Sequence, residues 1–435
     1  VIRDRRAILA LLTALNLVNY IDRAVIAAVL APMKIELGLS NLEAGLLNTA
    51  FLIGYFTTCP LFGARADKAA RKRLIALGVV IWSLATMASG VATGFWTLLA
   101  ARVVVGVGEA SFTVLAPTII DDVTPHGDKG KALAVFFLAT PIGYALGYIL
   151  GGTISHHWGW RSAFYLVGGP GILFALACLW IAEPTRKLLD VRAKLVDGLR
   201  EVVQLPLFRR AVLGYCAYTA AVAGFSYWVP SYLLERFHDL NGETANFWFG
   251  IVLIVAGAIG TVIGGRWLDR SLRGLPPIPL DTPHDAPENK AATNAALRIC
   301  SIGVIAAAPL AVACFLVPSS TLFFAIVFLV EVGLFLATSP VNCAVLRSVP
   351  PERRASAMAA MIFSIHLLGD LWSSAALGVL LDALPLTIAM MALPLTFACA
   401  GYIWWPRRRE AAGPSATASG VTRSGLPEAR VHTTT

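Results

Sequence analysis

The chain has 435 residues, of which 57% are hydrophobic and 14% charged, and its mean hydropathy is +0.71. A set of water-soluble domains cannot hide that much apolar surface, so a soluble enzyme or scaffold is excluded. The formal net charge of +9 would suit nucleic acid if it formed one stripe. Lys and Arg instead fall in alternate loops, which is the pattern of membrane orientation, and nucleic acid is not an expected partner.

A bilayer core about 30 Å thick needs about 20 apolar residues per helical span. Twelve such runs follow in chain order, at 7–30, 42–64, 74–93, 96–120, 131–155 and 162–182, then 211–234, 246–265, 296–317, 320–345, 355–381 and 384–405. They predict an all-α membrane protein of two six-helix halves, residues 1–182 and 211–405. The mixed-charge stretch 183–210 reads as a cytoplasmic linker between them. Residues 271–290, rich in Pro and acid, read as a flexible cytoplasmic loop, and the polar tail 406–435 as disordered. With both termini inside, 30 of the 35 Lys and Arg are cytoplasmic. The opposite orientation would translocate Arg65, Lys68, Arg71, Lys72 and Arg73 in one short loop. The plasma or inner membrane is the expected location, and the expected state is a monomer. The first run has no small-residue cleavage site and is not read as a removable signal. All seven cysteines lie in apolar runs and read as small core residues, so neither a disulfide, a metal site nor a cofactor is expected.

The halves repeat one another. The second run ends in Gly63-Ala64-Arg65-Ala66-Asp67-Lys68 and the eighth in Gly265-Arg266-Trp267-Leu268-Asp269-Arg270, each a Gly, three residues, an Asp and a base. Parallel repeats of this kind build alternating-access carriers, whose substrate site lies near mid-membrane between the halves. Gly63, Asp67, Arg71 and Arg73 resemble the loop signature of the major facilitator superfamily. Arg102 with Gly106, Gly108, Glu109 and Ala110 resembles its fourth-helix signature, and Pro141 with Gly143, Gly147, Gly151 and Gly152 its fifth. Within the superfamily, three segments resemble the Spinster family: Asn19-Tyr20-Ile21-Asp22-Arg23, Gly108-Glu109-Ala110-Ser111 with the following Ala116-Pro117-Thr118, and His366-Leu367-Leu368-Gly369-Asp370. The resemblance implies the major facilitator fold and proton-coupled transport of a lipid or lysolipid-like molecule.

Ionisable groups inside spans are costly, and each is a functional candidate. They are Asp22, Arg23, Arg102, Glu109, Glu331, His366 and Asp370. Asp22 lies about 12 Å and Arg102 about 9 Å from the outer ends of their helices, so opposite charges meet at similar depth. Arg102 and Glu109, two turns apart, share a face. Burial and the arginines act on the carboxylates in opposite senses, which suits Asp22 and Glu109 to load and release protons. Gly106 and Gly108 are expected to leave water room to reach Glu109. The competing reading is that these charges only neutralise one another and fix packing.

Arg23 points about 100° away from Asp22 around the helix and, like Arg102, suits an oxyanion headgroup; its other reading is a partner for Glu109. Tyr215, Phe225 and Trp228 of the seventh run, with Glu331, His366 and Asp370, are the candidate substrate contacts of the second half. Packing is the alternative for the aromatic residues. Contact with His366 is the alternative for Glu331, and a local helix distortion for Asp370. Gly63, Asp67, Arg71 and Asp269 are the candidate gating residues: Asp67 would sit at the positive end of the eleventh helix near Ala355 and Ser356, and Asp269 at that of the fifth near Gly130. No nucleophile motif, phosphate loop or metal-spaced cluster stands out, so a receptor or enzyme is the weakest reading and small organic anions are the alternative cargo.

Overall fold

The computed structural model describes residues 2–66, 69–183, 200–273, 275 and 282–406. Most of the linker, the middle of the 271–290 loop, Asp67 and the tail expected to be disordered lie outside the described residues. Among the described residues, twelve helices are long and apolar enough to cross a membrane. They are α1 (Arg5–Ala28), α2 (Asn41–Arg65), α3 (Arg71–Gly90), α4 (Phe95–Val123), α5 (Lys129–Trp158), α6 (Trp160–Leu179), α7 (Pro206–Arg236), α8 (Gly242–Arg273), α9 (Pro287–Leu316), α10 (Ser320–Arg347), α11 (Ser356–Ala383) and α12 (Leu386–Trp404).

All twelve expected spans are present, but several helices outrun them. The seventh begins at Pro206 and the ninth at Pro287, each with Pro in its first turn. Hydropathy marks only the apolar stretch, whereas backbone hydrogen bonding continues through polar residues, and Pro costs nothing where no intrahelical N–H is needed. A short helix, Leu30–Leu37, also leads from α1 towards α2 and ends at Gly38 in the left-handed conformation, with a φ of 62°.

Small residues set the closest approaches within the first half. On α5, a Cβ added to Gly143, Gly147 or Gly151 would run into Tyr20, Ala24 or Ala28 of α1, so the four-residue glycine spacing is the α1–α5 seam. Gly54 and Gly106 let α2 and α4 cross backbone to backbone, and Gly78 and Gly108 do the same for α3 and α4. This corrects the expectation of water beside Glu109. The space at Gly106 is filled by Phe51 and Tyr55 of α2, and the space at Gly108 by Gly78 and Trp82 of α3.

The halves meet most closely at the end of the bundle away from both termini. There the Asp382 carboxylate, at the last turn of α11, accepts the backbone N–H of Asn41 (2.9 Å) and of Leu42 (2.8 Å), capping the start of α2 from across the interface. Lys34 bonds to the Asn41 side chain, lies 3.4 Å from Glu235 and stacks over the Trp228 ring. The Tyr227 hydroxyl donates to the Ala44 carbonyl at 2.6 Å, and the Asn246 amide to the Ala28 carbonyl at 3.1 Å. Beyond its midpoint α11 packs on α2, where a Cβ on Gly45 or Gly378 would collide with the facing backbone.

The terminus end is built differently. A Cβ on Gly63 or Gly130 would meet nothing within 4 Å, and the Asp269 side chain is exposed. Arg71 lies 2.5 Å from Asp122 of its own half and 3.3 Å from Glu183 at the start of the linker, and donates to Thr118. Between described residues, hydrogen bonds and ion pairs join the halves at the middle and at the far end of the interface.

Candidate functional site

Asp22 and Arg23 are neighbours on α1, and the helical turn between them sends their side chains to different partners. Asp22 is 1% exposed and its Oδ2 accepts the Thr86 hydroxyl of α3 at 2.6 Å. Its Oδ1 has no hydrogen-bond partner. Arg23 turns to α4, where its Nε donates to Glu109 Oε2 at 2.7 Å. Glu109 is wholly buried, and its Oε1 and the Arg23 Nη2 are both left without partners.

Aromatic rings line the guanidinium of Arg23. Arg23 lies 5.1 Å from the centroids of Tyr20, Phe51 and Tyr55. Arg102, 1% exposed, lies 5.0 Å from the centroid of the same Phe51 ring, and its Nε and Nη1 have no partner. It makes no described ion pair with Asp22, although it is close enough to act on it through space, as are Glu109 and Arg23. The four charges therefore form one cluster with a single direct ion pair. Several strong donors and acceptors in it are unsatisfied, an arrangement that buried polar groups rarely tolerate without a reason.

The second half is arranged otherwise. His366 to Asp370 form a π-turn that interrupts α11, with His366 Nδ1 and Asp370 Oδ2 2.8 Å apart. This is the distortion expected at Asp370, and it occurs where Gly369 lets α11 press against Thr219 and Cys216 of α7. His366 meets Phe56 of the first half edge-on at 5.3 Å, and its described polar partner is Asp370 rather than Glu331. Glu331 is 3% exposed on α10 and has no described hydrogen bond. Tyr144 of α5 packs on Tyr20 at 5.3 Å, and Asp370 of the second half acts on it through space.

The aromatic candidates are packed in this state. Tyr215 lies against Tyr218 and Trp404, and Phe225 against Phe249 and Phe315. Trp228 donates its indole N–H to the Ser374 carbonyl at 3.0 Å. Sequence reasoning missed Thr86, Phe51 and Tyr55, which complete the cluster from α2 and α3. The i, i+4 pair Phe51 and Tyr55 carries a periodic signal, but one indistinguishable from lipid-facing or core aromatics.

Two helical halves, closed at one end around buried and incompletely paired charge, define a membrane transporter. The sequence model described as the Major Facilitator Superfamily matches residues 12–373. The chain is 31% identical over 413 residues to the "probable sphingolipid transporter spinster homolog 2" of Arabidopsis thaliana, covering 86% of this chain and 80% of that one. Against "protein spinster homolog 1" of Homo sapiens it is 31% identical over 399 residues, covering 86% and 72%. A solved bacterial homolog of the human lysosomal transporter Spinster, inward-facing and unoccupied, superposes with a TM-score of 0.80 at 23% identity, over 92% of this chain and 96% of that one. The chain thus belongs to the major facilitator superfamily and, within it, to the Spinster family; it is a transporter and not an enzyme.

Proposed function

We propose that the protein is a proton-coupled, alternating-access carrier of an amphipathic lipid or lysolipid-like molecule. Asp22 and Glu109 carry the protons, and Arg23 and Arg102 meet an anionic headgroup. The observation that carries this reading is the buried cluster itself, in which two carboxylates each keep one free oxygen beside guanidinium donors that are only partly used. Protons would complete the carboxylates and an oxyanion would complete the donors, so each ligand removes a penalty that the empty cluster carries. Competition between the headgroup and Glu109 for Arg23 would link the two events, because an arginine drawn to the substrate leaves Glu109 easier to protonate. The names of the plant relatives support a sphingolipid-like cargo.

The basic loops support termini in the cytoplasm, and with that orientation the end of the interface bridged by Asp382 and Lys34 faces outward. Asp67 and Asp269 would then latch the inner end in the opposite state, with Gly63 and Arg71 shaping the same loop. Residues 183–210 would link the halves. Tyr215, Phe225, Trp228, Glu331, His366 and Asp370 would line the tail side of the path as it opens. A thermal-shift comparison tests the cargo: lysolipids should raise the melting temperature of the detergent-solubilised protein and small organic acids should not, since a ligand stabilises the state it binds. The reverse result would assign it to organic anions.

A further inference from the structure

We infer that Thr86 of α3 is a positioning residue for the proton site on α1: its hydroxyl holds one oxygen of Asp22 and directs the coupling proton to the other. The inference rests on the reading of Asp22 as a proton carrier. Buried serine and threonine hydroxyls in helices usually bond back to a carbonyl of their own helix. Ser89 does so to Ala85, and Thr113 to Glu109. Thr86 instead reaches across to α1, at 2.6 Å from Asp22 Oδ2, and is wholly buried. A Cβ added to Gly168 of α6 would come within 2.8 Å of the Ser83 carbonyl oxygen and 3.2 Å of the Thr86 Cβ, so α6 packs closely on α3 at this residue.

The consequence is an asymmetric carboxylate. Oδ2 is occupied by a donor and Oδ1 has none, so the proton goes to Oδ1 and the Thr86 bond survives protonation. A hydroxyl bonds more strongly to a carboxylate than to a carboxylic acid, so Thr86 favours the ionised form and is one of the groups that tune the pH at which the site loads. The charges that act on Asp22 are Glu109 and Arg102 of α4 and Arg23 of its own helix. Of the other helices packed on α1, α5 brings Tyr144 against Tyr20, and α7 brings Tyr227 within reach of Arg102. From α6, Gly168 faces Thr86. Thr86 is the hydrogen-bond donor to Asp22 among them.

The test is an infrared pH titration of the full chain in proteoliposomes, following the protonated-carboxyl band that is lost in Asp22→Asn. Thr86→Val keeps the shape and removes the donor, and should move the midpoint of that band about one pH unit towards alkaline, the size expected when a hydrogen bond to a charged group is lost. Thr86→Ser should restore the midpoint, and melting temperatures check that all variants fold. Thr86→Ala replaces the Val variant should that one fail to fold. An Asp22 band that Thr86→Val or Thr86→Ala leaves in place overturns the Thr86 inference alone. A titration that is the same in Asp22→Asn as in the unaltered protein overturns the coupling reading and the inference with it.

Discussion

The two halves share a fold and differ in how they treat buried charge. In the first, Asp22, Arg23, Arg102 and Glu109 make one direct ion pair and leave acceptors and donors open on every member. In the second, His366 and Asp370 pair with each other on one π-turn, with Asp370 Oδ1 and the isolated, buried Glu331 left open, and the seventh helix is filled with aromatic packing. Incomplete pairing is expensive in a static core but is what a site needs if its partners arrive and leave. On the proposed function, the comparison would give ion and headgroup chemistry to the first half, and shape and closure to the second.

The largest effect should come from Arg102, whose open donors are the strongest unspent recognition in the cluster. Arg102→Met should weaken binding of an anionic lysolipid such as lysophosphatidic acid by about tenfold or more, the equivalent of a charge-assisted hydrogen bond, with folding preserved because no ion pair is broken. Isothermal titration in detergent measures it, and unchanged affinity would remove Arg102 from the headgroup site. On the other side of the comparison, Trp228→Phe deletes the bond to the Ser374 carbonyl and trims the ring under Lys34 while leaving the charge cluster untouched. It should lower stability by about 1 kcal/mol and shift headgroup affinity less than twofold; a loss as large as that of Arg102→Met would erase the division between halves.

The interface between the halves offers an intermediate test. Asp382→Asn keeps the size of the cap but removes its charge from the start of α2, and should favour opening of the far end by about 1 kcal/mol, roughly a fivefold change in population. Distances between spin labels placed on α2 and α11 report it, and an unshifted distribution would show that Asp382 is not part of the closure. Deletion of residues 410–435 should have the smallest effect, with uptake and expression retained, since the tail carries neither apolar periodicity nor a candidate site.

Much of this architecture is legible in the sequence because a bilayer forces it. Twelve apolar runs, the glycine spacing on α5 and the divergence of Asp22 from Arg23 follow from local chemistry and helical geometry alone. What could not be read is which helix stands beside which. Thr86 is an ordinary helical threonine until α3 is placed against α1, and Phe51 is an ordinary aromatic until Arg23 and Arg102 are found against it. The same gap explains the misreading of Gly106 and Gly108, since a missing side chain signals space in a sequence but close approach in a packed bundle. Asp382, at the end of a span, reads as a solvated loop residue unless the start of α2 is known to lie against it.

The central claim is that Asp22 and Glu109 carry the coupling protons, and gradient-driven uptake of a fluorescent lysolipid into proteoliposomes tests it most directly. Asp22→Asn and Glu109→Gln imitate the loaded state. With melting temperatures close to that of the unaltered protein, both should bind the lysolipid and lose the acceleration that an imposed pH gradient produces. Well-folded variants that respond to the gradient as fully as the unaltered protein would contradict the account. Variants that melt early and bind nothing would also contradict it, because they would show the carboxylates to be structural partners of Arg23 and Arg102, whose loss can exceed about 3 kcal/mol when a buried pair is broken.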